Sequence, residues 1–142
     1  MLDTVRSMFP YNLDHVGIAV RDLDEALDRY RTQYGADPVS RDVVVSQGVE
    51  EAMIPIGGSF VQLLQPLAAD TPVGRFLDKR GEGLHHMAFA VSDLEAALTH
   101  LAGAGARLVD RKPRPGGRGA AIAFVHPAAF AGTLVELLQL PR

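Results

Sequence analysis

Two stretches of the chain, residues 13–20 and 84–91, alternate bulky apolar residues with small or polar ones. Alternation with a period of two is typical of a β-strand whose two faces have different surroundings. In each stretch one face is bulky and apolar, and the other has a histidine followed by small residues, which are His15, Gly17 and Ala19 in the first stretch and His86, Ala88 and Ala90 in the second. Since small neighbours leave room beside a histidine, we expect this face to be the floor of a cup.

The rest of the pattern is duplicated as well. Residues 20–27 match 91–98 at an offset of 71, and residues 60–65 match 134–139 at an offset of 74. An internal repeat of this kind indicates two copies of one structural unit. Because half-sized units are too small to bury a core alone, we expect one domain over residues 1–142 with a pseudo-twofold axis. Its parts are module one at about 13–66, a linker at about 67–83 and module two at about 84–139.

Each module is predicted as a strand, a helix and three more strands, which is an α+β fold. In module one, Asp22 and Glu25 form a capping box and Gly35 ends the helix, whereas in module two Ser92 or Asp93 is the cap. The remaining strands are expected at 39–45, 48–56 and 59–65, and at 106–110, 119–125 and 132–139. A short helix is expected to begin at Pro72 in the linker.

Polar residues interrupt the apolar strands at matching positions of the two modules. His15 and His86 lie near the start of the first strands, and Gln62 and Glu136 lie in the middle of the fourth. If both modules fold alike, all four converge, and two imidazoles, a carboxylate and an amide oxygen suit a divalent first-row metal with positions left open for substrate. The alternative is that Gln62 and Glu136 face solvent on a half-exposed sheet.

Composition narrows the class of protein. The formal net charge is -3 and the basic residues are scattered, which argues against a nucleic-acid partner. The chain has no cysteine, so disulfides, thiolate metal sites and cysteine nucleophiles are excluded. Residues 1–10 have no apolar core of a signal peptide, and no apolar run approaches the roughly 20 residues of a membrane span. We therefore expect a soluble cytoplasmic protein.

Five stretches of the chain form recognisable motifs, which are Asp14–Val20, Ser46–Ala52, Thr71–Leu77, Gly81–Phe89 and Ala123–Pro127. Together they resemble a known family, the vicinal oxygen chelate (glyoxalase/bleomycin resistance/dioxygenase) superfamily of paired βαβββ modules, and within it the methylmalonyl-CoA epimerases. The resemblance extends from about Leu13 to Gln139. It implies that the two modules form one cupped, eight-stranded mixed sheet.

The resemblance also implies a reaction, the epimerisation of (2R)- and (2S)-methylmalonyl-CoA. It implies one divalent metal ion per chain on His15, Gln62, His86 and Glu136, with Co²⁺ favoured over Mn²⁺, Ni²⁺ or Zn²⁺. Glu51 is then the general base, and Glu136 corresponds to the second catalytic carboxylate. An acyl-CoA is the implied substrate and a homodimer the implied assembly. With neutral histidines and Gln62, the site keeps a charge of about +1, which suits an enolising anionic substrate.

Other interpretations of the same residues stay open. Glu51 could be a solvated strand carboxylate, since most glutamates are exposed. The protein could be a glyoxalase-type isomerase or extradiol-type dioxygenase of the same superfamily, or a non-catalytic small-molecule binding protein. Ethylmalonyl-CoA differs from methylmalonyl-CoA by one methylene, so it is an open substrate as well. The basic segment 111–118 is expected to be a flexible loop that could meet CoA phosphates.

Overall fold

The computed structural model describes residues 10–141, so most of the N-terminal segment considered above lies outside the described part. The described residues form eight strands: β1 (Asn12–Ala19), β2 (Ser40–Val44), β3 (Val49–Ile56), β4 (Ser59–Pro66), β5 (Gly83–Ala90), β6 (Arg114–Pro115), β7 (Ala121–Val125) and β8 (Val135–Gln139). The helices are α1 (Leu23–Tyr34), α2 (Pro72–Arg80) and α3 (Leu94–Gly103). Within residues 10–141, none of these helices has the length and apolar character that a membrane span requires.

The chain divides into two compact units with the same strand order. The module-one unit, residues 15–85, has the order β2-β3-β4-β1, with β1 parallel to β4 and the other pairs antiparallel. The module-two unit, residues 10–14 and 86–141, has the order β5-β8-β7-β6, again with a single parallel pair, β5 and β8. These orders confirm the predicted α+β class and the two βαβββ modules, each with a four-stranded mixed sheet.

Both long helices begin at matching aspartate caps. The Asp22 side chain accepts a hydrogen bond from the Glu25 N–H of α1 at 3.1 Å, and Asp93 accepts one from the Ala96 N–H of α3 at 3.0 Å. The first N–H groups of a helix have no partner inside it, so a carboxylate at this position stabilises the helix start. Asp93, rather than Ser92, is therefore the cap of the second helix.

A glutamine at the end of each fourth strand also holds a helix. Gln65 Oε1 accepts a hydrogen bond from the Leu23 N–H at 2.7 Å, and Gln139 Oε1 accepts one from the Leu94 N–H at 2.9 Å. We did not predict this role from the sequence, although the repeated glutamine was visible in it. The strand that bears Gln62 or Glu136 is thus joined directly to the helix behind it.

The two faces of the module-one strands have separate cores. On the helix face, Leu23 of α1 packs with Ala52, Ile54 and Leu63. On the face that bears His15, the strand residues pack against α2, and this cluster comprises Ala19, Val44, Val49, Leu64, Val73 and Leu77. The linker helix therefore covers part of the histidine face, next to the polar residues.

One predicted strand is wrong. Residues 106–110 make only a single bridge, between Leu108 and Val125, and the edge strand of module two is the later pair Arg114–Pro115. The Asp110 side chain explains the difference, because its Oδ2 accepts the Phe124 N–H at 2.9 Å. The Phe124 carbonyl accepts both the Val109 N–H at 3.0 Å and the Asp110 N–H at 3.2 Å, so two consecutive residues share one partner and the ladder does not continue.

Candidate functional site

The module-one unit holds three of the predicted site residues, all buried. His15 is 2% exposed, Glu51 5% and Gln62 7%. Gln62 lies opposite Gly17 on β1 and Met53 on β3. The face that bears His15 therefore has space where the glycine lacks a side chain, and an apolar side chain on the other side of the Gln62 amide. The solvent-facing interpretations of Gln62 and Glu51 are therefore wrong.

The Gln62 amide is engaged on one side only. Its Nε2 donates a hydrogen bond to Glu51 Oε2, in a contact shorter than an ordinary hydrogen bond. Its Oε1 is buried and accepts no hydrogen bond from the described residues. A buried amide oxygen without a donor costs free energy, so such an atom is well suited to accept a cation.

The module-two unit holds the other two predicted residues, His86 and Glu136, each 6% exposed. His86 Nε2 and Glu136 Oε1 are 4.0 Å apart, which is too far for a hydrogen bond. Two ligand atoms at about 2.1 Å from one ion lie at most about 4.2 Å apart, so this separation fits a pair that shares a metal. The edge of the His86 ring contacts Phe124, with 5.7 Å between the ring centroids, and this contact orients the imidazole.

Two arginines of the basic segment form ion pairs with carboxylates. Arg118 Nη2 pairs with Oδ2 of the buried Asp14 at 2.5 Å, and Asp14 precedes His15 in β1. Arg114 Nε pairs with Asp110 Oδ1 at 3.1 Å. The segment that we predicted to be a flexible loop thus has two arginines with defined acidic partners, which the spacing along the chain does not reveal.

Three further polar residues that lie near the candidate site in sequence have contacts of their own. Glu50 pairs with Arg41 at 2.9 Å. His85 contacts the Phe76 ring of α2 edge-on, and burial lowers the pKa of its imidazole to about 4. His126 accepts a hydrogen bond from the Ala128 N–H and holds a turn. None of these three contacts involves a predicted metal ligand.

Two cavities lie on the helix side of the strands, at positions that the repeat relates. One, of about 440 Å³, is lined by Ile18, Ala26 and Leu63 among others. The other, of about 250 Å³, is lined by the equivalent residues Phe89, Ala97 and Leu137. Since strand neighbours alternate, these residues face away from the histidines, and the cavities are separate from the site chemistry.

Comparisons with known proteins agree with this geometry. A model of the Glyoxalase/Bleomycin resistance protein/Dioxygenase superfamily matches residues 14–124. The chain belongs to this superfamily. Over 130 residues it is 38% identical to the ethylmalonyl-CoA/methylmalonyl-CoA epimerase of Cereibacter sphaeroides, covering 90% of this chain and 97% of the relative.

Solved structures of this superfamily are similar as well. One is a variant of Streptomyces coelicolor methylmalonyl-CoA epimerase in complex with 2-nitronate-propionyl-CoA, with a TM-score of 0.90, 39% identity and coverage of 93% of this chain and 96% of that one. Another is a methylmalonyl-CoA epimerase in complex with methylmalonyl-CoA and NH₄⁺, with the same TM-score, identity and coverage. The relatives are thus isomerases that bind acyl-CoA thioesters, and the predicted family is confirmed.

Proposed function

We propose that this protein is a metal-dependent methylmalonyl-CoA epimerase that removes and returns the α-proton through an enolate. The observation that supports it best is the Gln62 amide, which joins a buried carboxylate, Glu51, to a buried oxygen that accepts no hydrogen bond from the described residues. Epimerisation requires a base next to a positive centre, because the proton leaves as negative charge develops on the substrate. The similarity to epimerases over nearly the whole chain supports the same reaction.

The ligands of the proposed metal are His15, Gln62 Oε1, His86 and Glu136. The two histidines and Glu136 are buried and each offers one ligand atom, and the amide oxygen adds a neutral fourth. Such donors suit Co²⁺, our proposed ion, and equally Mn²⁺, Ni²⁺ or Zn²⁺. When bound, the metal supplies a Lewis acid that polarises the substrate carbonyl and holds its carboxylate. The single anionic ligand leaves a net charge of about +1 for the substrate.

Glu51 is the proposed general base. Its carboxylate is buried, and the hydrogen bond from Gln62 fixes its orientation. A base held at one angle removes a proton from a positioned carbon faster than a mobile one does. We propose Glu136 as the acid on the opposite face. In the direction in which Glu51 removes the proton, Glu136 starts protonated and returns its proton to the carbon, and the two groups exchange roles in the reverse direction. The net charge of about +1 applies when Glu136 is the carboxylate, and metal ligation then weakens it as a base.

A pair of neighbouring variants tests the base. Glu51→Gln is expected to lower kcat for a single epimer of methylmalonyl-CoA by at least about a hundred-fold, because general-base catalysis contributes about that much or more. Glu50→Gln is the matched control, since Glu50 pairs with Arg41 instead. Circular dichroism of the thioester follows the loss of one epimer. Equal rates for the two variants would reject Glu51 as the base.

The range of substrates follows from the same site. Ethylmalonyl-CoA adds one methylene, and the apolar neighbours of Gln62 on the strand face, Met53 and Leu64, are the side chains that would meet a longer group. One methylene changes discrimination by about 1–3 kcal/mol. We propose methylmalonyl-CoA as the preferred substrate, and a ratio of kcat/KM that favours ethylmalonyl-CoA would contradict this choice.

We further propose that the protein is a homodimer in the cytoplasm. Large apolar side chains are exposed on the strands, including Leu13 at 42%, Val43 at 59% and Leu84 at 70%, and exposed apolar surface favours association. Analytical ultracentrifugation should give twice the chain mass of 15.3 kDa, and a single-chain mass would contradict the dimer.

A further inference from the structure

Arg114 is a cation on the strand face that also bears the module-two ligands. It lies opposite Ile122 in the register of β6 and β7, and Phe124, two residues further on, lies opposite Glu136. Side chains of directly opposite residues share a face of a sheet, and so do residues two apart on one strand. Arg114 therefore belongs to the face of Glu136 and His86.

The Arg114 guanidinium lies over a side chain of this face that also contacts His86. Its central carbon is 5.5 Å from the centroid of the Phe124 ring, a cation–π distance. The same ring contacts His86 edge-on, with centroids 5.7 Å apart and an interplanar angle of 87°. A single aromatic ring thus lies between the arginine and a proposed metal ligand.

One carboxylate fixes this arrangement. Asp110 Oδ1 pairs with Arg114 Nε at 3.1 Å, and Asp110 Oδ2 accepts the backbone N–H of Phe124 at 2.9 Å. Asp110 therefore holds the Arg114 guanidinium and the Phe124 ring next to each other. The Arg114 side chain is 34% exposed, so part of it is open to a ligand.

We propose that Arg114 binds an anionic oxygen of the acyl-CoA substrate, an assignment that rests on the proposed function. The planar fork of a guanidinium matches carboxylate and phosphate oxygens. Its neighbours on this face include Ala88, Ala90 and Ile122, all buried, and an ion pair is strengthened where water is scarce. An acyl-CoA offers two sources of such an oxygen, the free carboxylate of the acyl group and the phosphates of the nucleotide.

The test compares Arg114→Gln and Arg114→Lys with Arg107→Gln, which removes an exposed charge outside the basic segment 111–118. Each is assayed with methylmalonyl-CoA and with methylmalonyl-pantetheine, which has no phosphate. Arg114→Gln is expected to raise KM for methylmalonyl-CoA about ten-fold or more, since a charge-assisted hydrogen bond is lost, and to change kcat by less than about two-fold. The KM of Arg114→Lys should fall between those of Arg114→Gln and the unmodified protein, and Arg107→Gln should match the unmodified protein.

The two substrates identify the source of the oxygen. A higher KM for both substrates assigns Arg114 to the acyl carboxylate, and a higher KM for the CoA thioester alone assigns it to a phosphate. An unchanged KM, an equal rise of KM in Arg107→Gln, or a fall in kcat alone overturns the proposal. If Arg114→Gln does not fold, Arg114→Lys decides by the same criteria.

Failure of the proposed function gives a different result. If the unmodified protein does not epimerise methylmalonyl-CoA, the reaction is wrong, and titration calorimetry with this thioester then tests Arg114 without turnover. A dissociation constant raised about ten-fold or more in Arg114→Gln supports the binding role. Equal dissociation constants for this variant and the unmodified protein reject it.

Discussion

The proposed chemistry depends most on the Gln62 side chain. Its nitrogen holds Glu51 and its oxygen is buried without a hydrogen-bond donor among the described residues. A glutamate at this position would still be a good metal ligand, but it would remove the N–H donor and cancel the residual positive charge. The metal-binding and base-orienting roles of one side chain can therefore be separated experimentally.

We expect Gln62→Glu to keep its metal and lose most of its activity. The loss in kcat should be about a hundred-fold, because the base loses its hydrogen-bond donor and the enolate loses net positive charge. Elemental analysis measures the metal, and the epimerisation rate measures activity. Gln33→Glu, an exposed change on α1, is the control for added charge. Full activity in Gln62→Glu would show that neither the donor nor the charge matters.

His85 gives the protein a specific dependence of stability on pH. Its folded pKa of about 4 lies below the usual 6.5, so the unfolded chain binds more protons between these values. The free energy of unfolding therefore falls as pH drops through this window. Relative to His85→Gln, chelator-treated protein should lose about 2 kcal/mol between pH 7.5 and pH 5. Urea unfolding at both pH values measures it, and identical losses in the two proteins would contradict the burial of a neutral imidazole.

The sequence predicted the candidate ligands because two regularities act on them together. The repeat pairs His15 with His86 and Gln62 with Glu136, and strand alternation puts each on a defined face. Because side chains alternate along a strand, Glu51 and Glu50 are also expected on opposite faces of β3. The Gln62–Glu51 bond could not be predicted, because it depends on the register between β3 and β4 and on side-chain rotamers.

At the scale of elements, the fourth strand of each module also holds the start of the helix behind it through a hydrogen bond. Gln139 of β8 holds the first N–H of α3, three residues after Glu136 on the same strand. Most strands were predicted within one or two residues of their observed ends, and the last strand begins at Val135, three residues later than predicted. The strand predicted at residues 106–110 is absent, because the Asp110 side chain accepts the Phe124 N–H in place of a backbone carbonyl. The pattern of apolar positions along the chain does not reveal such a side-chain hydrogen bond.

Gln139→Ala should destabilise the protein by about 1 kcal/mol, since it leaves a helix N–H without its acceptor. The free energy of unfolding in urea measures the change. Gln33→Ala, on the exposed face of α1, should alter stability by less than about 0.5 kcal/mol. Equal stability of Gln139→Ala and the unmodified protein would show that this hydrogen bond does not hold the helix.

At the scale of the whole molecule, duplication gives each module half of the proposed ligand set. His15 and Gln62 come from module one, and His86 and Glu136 from module two. Each half is small for independent stability, so the sequence predicts a single domain, and this stays a prediction. The proposed ligand set has a thermodynamic consequence, because a metal ion bound by residues of both modules would stabilise both.

Heating should therefore give one unfolding transition, and added Co²⁺ should raise its midpoint in proportion to the logarithm of the free metal concentration. Calorimetry and circular dichroism should report the same midpoint. His86→Ala is the control, and its midpoint should not respond to metal in this range. Two separate transitions, of which only one shifts with metal, would contradict the shared site.

The most direct test of the central claim is proton NMR of methylmalonyl-CoA in D₂O with metal-loaded and chelator-treated protein. We expect the metal-loaded protein to exchange the α-proton for deuterium and to scramble the configuration of that carbon, and the chelator-treated protein to do neither until Co²⁺ is restored. Absence of exchange in the metal-loaded protein would contradict the enolate mechanism, and equal exchange in both would contradict the role of the metal.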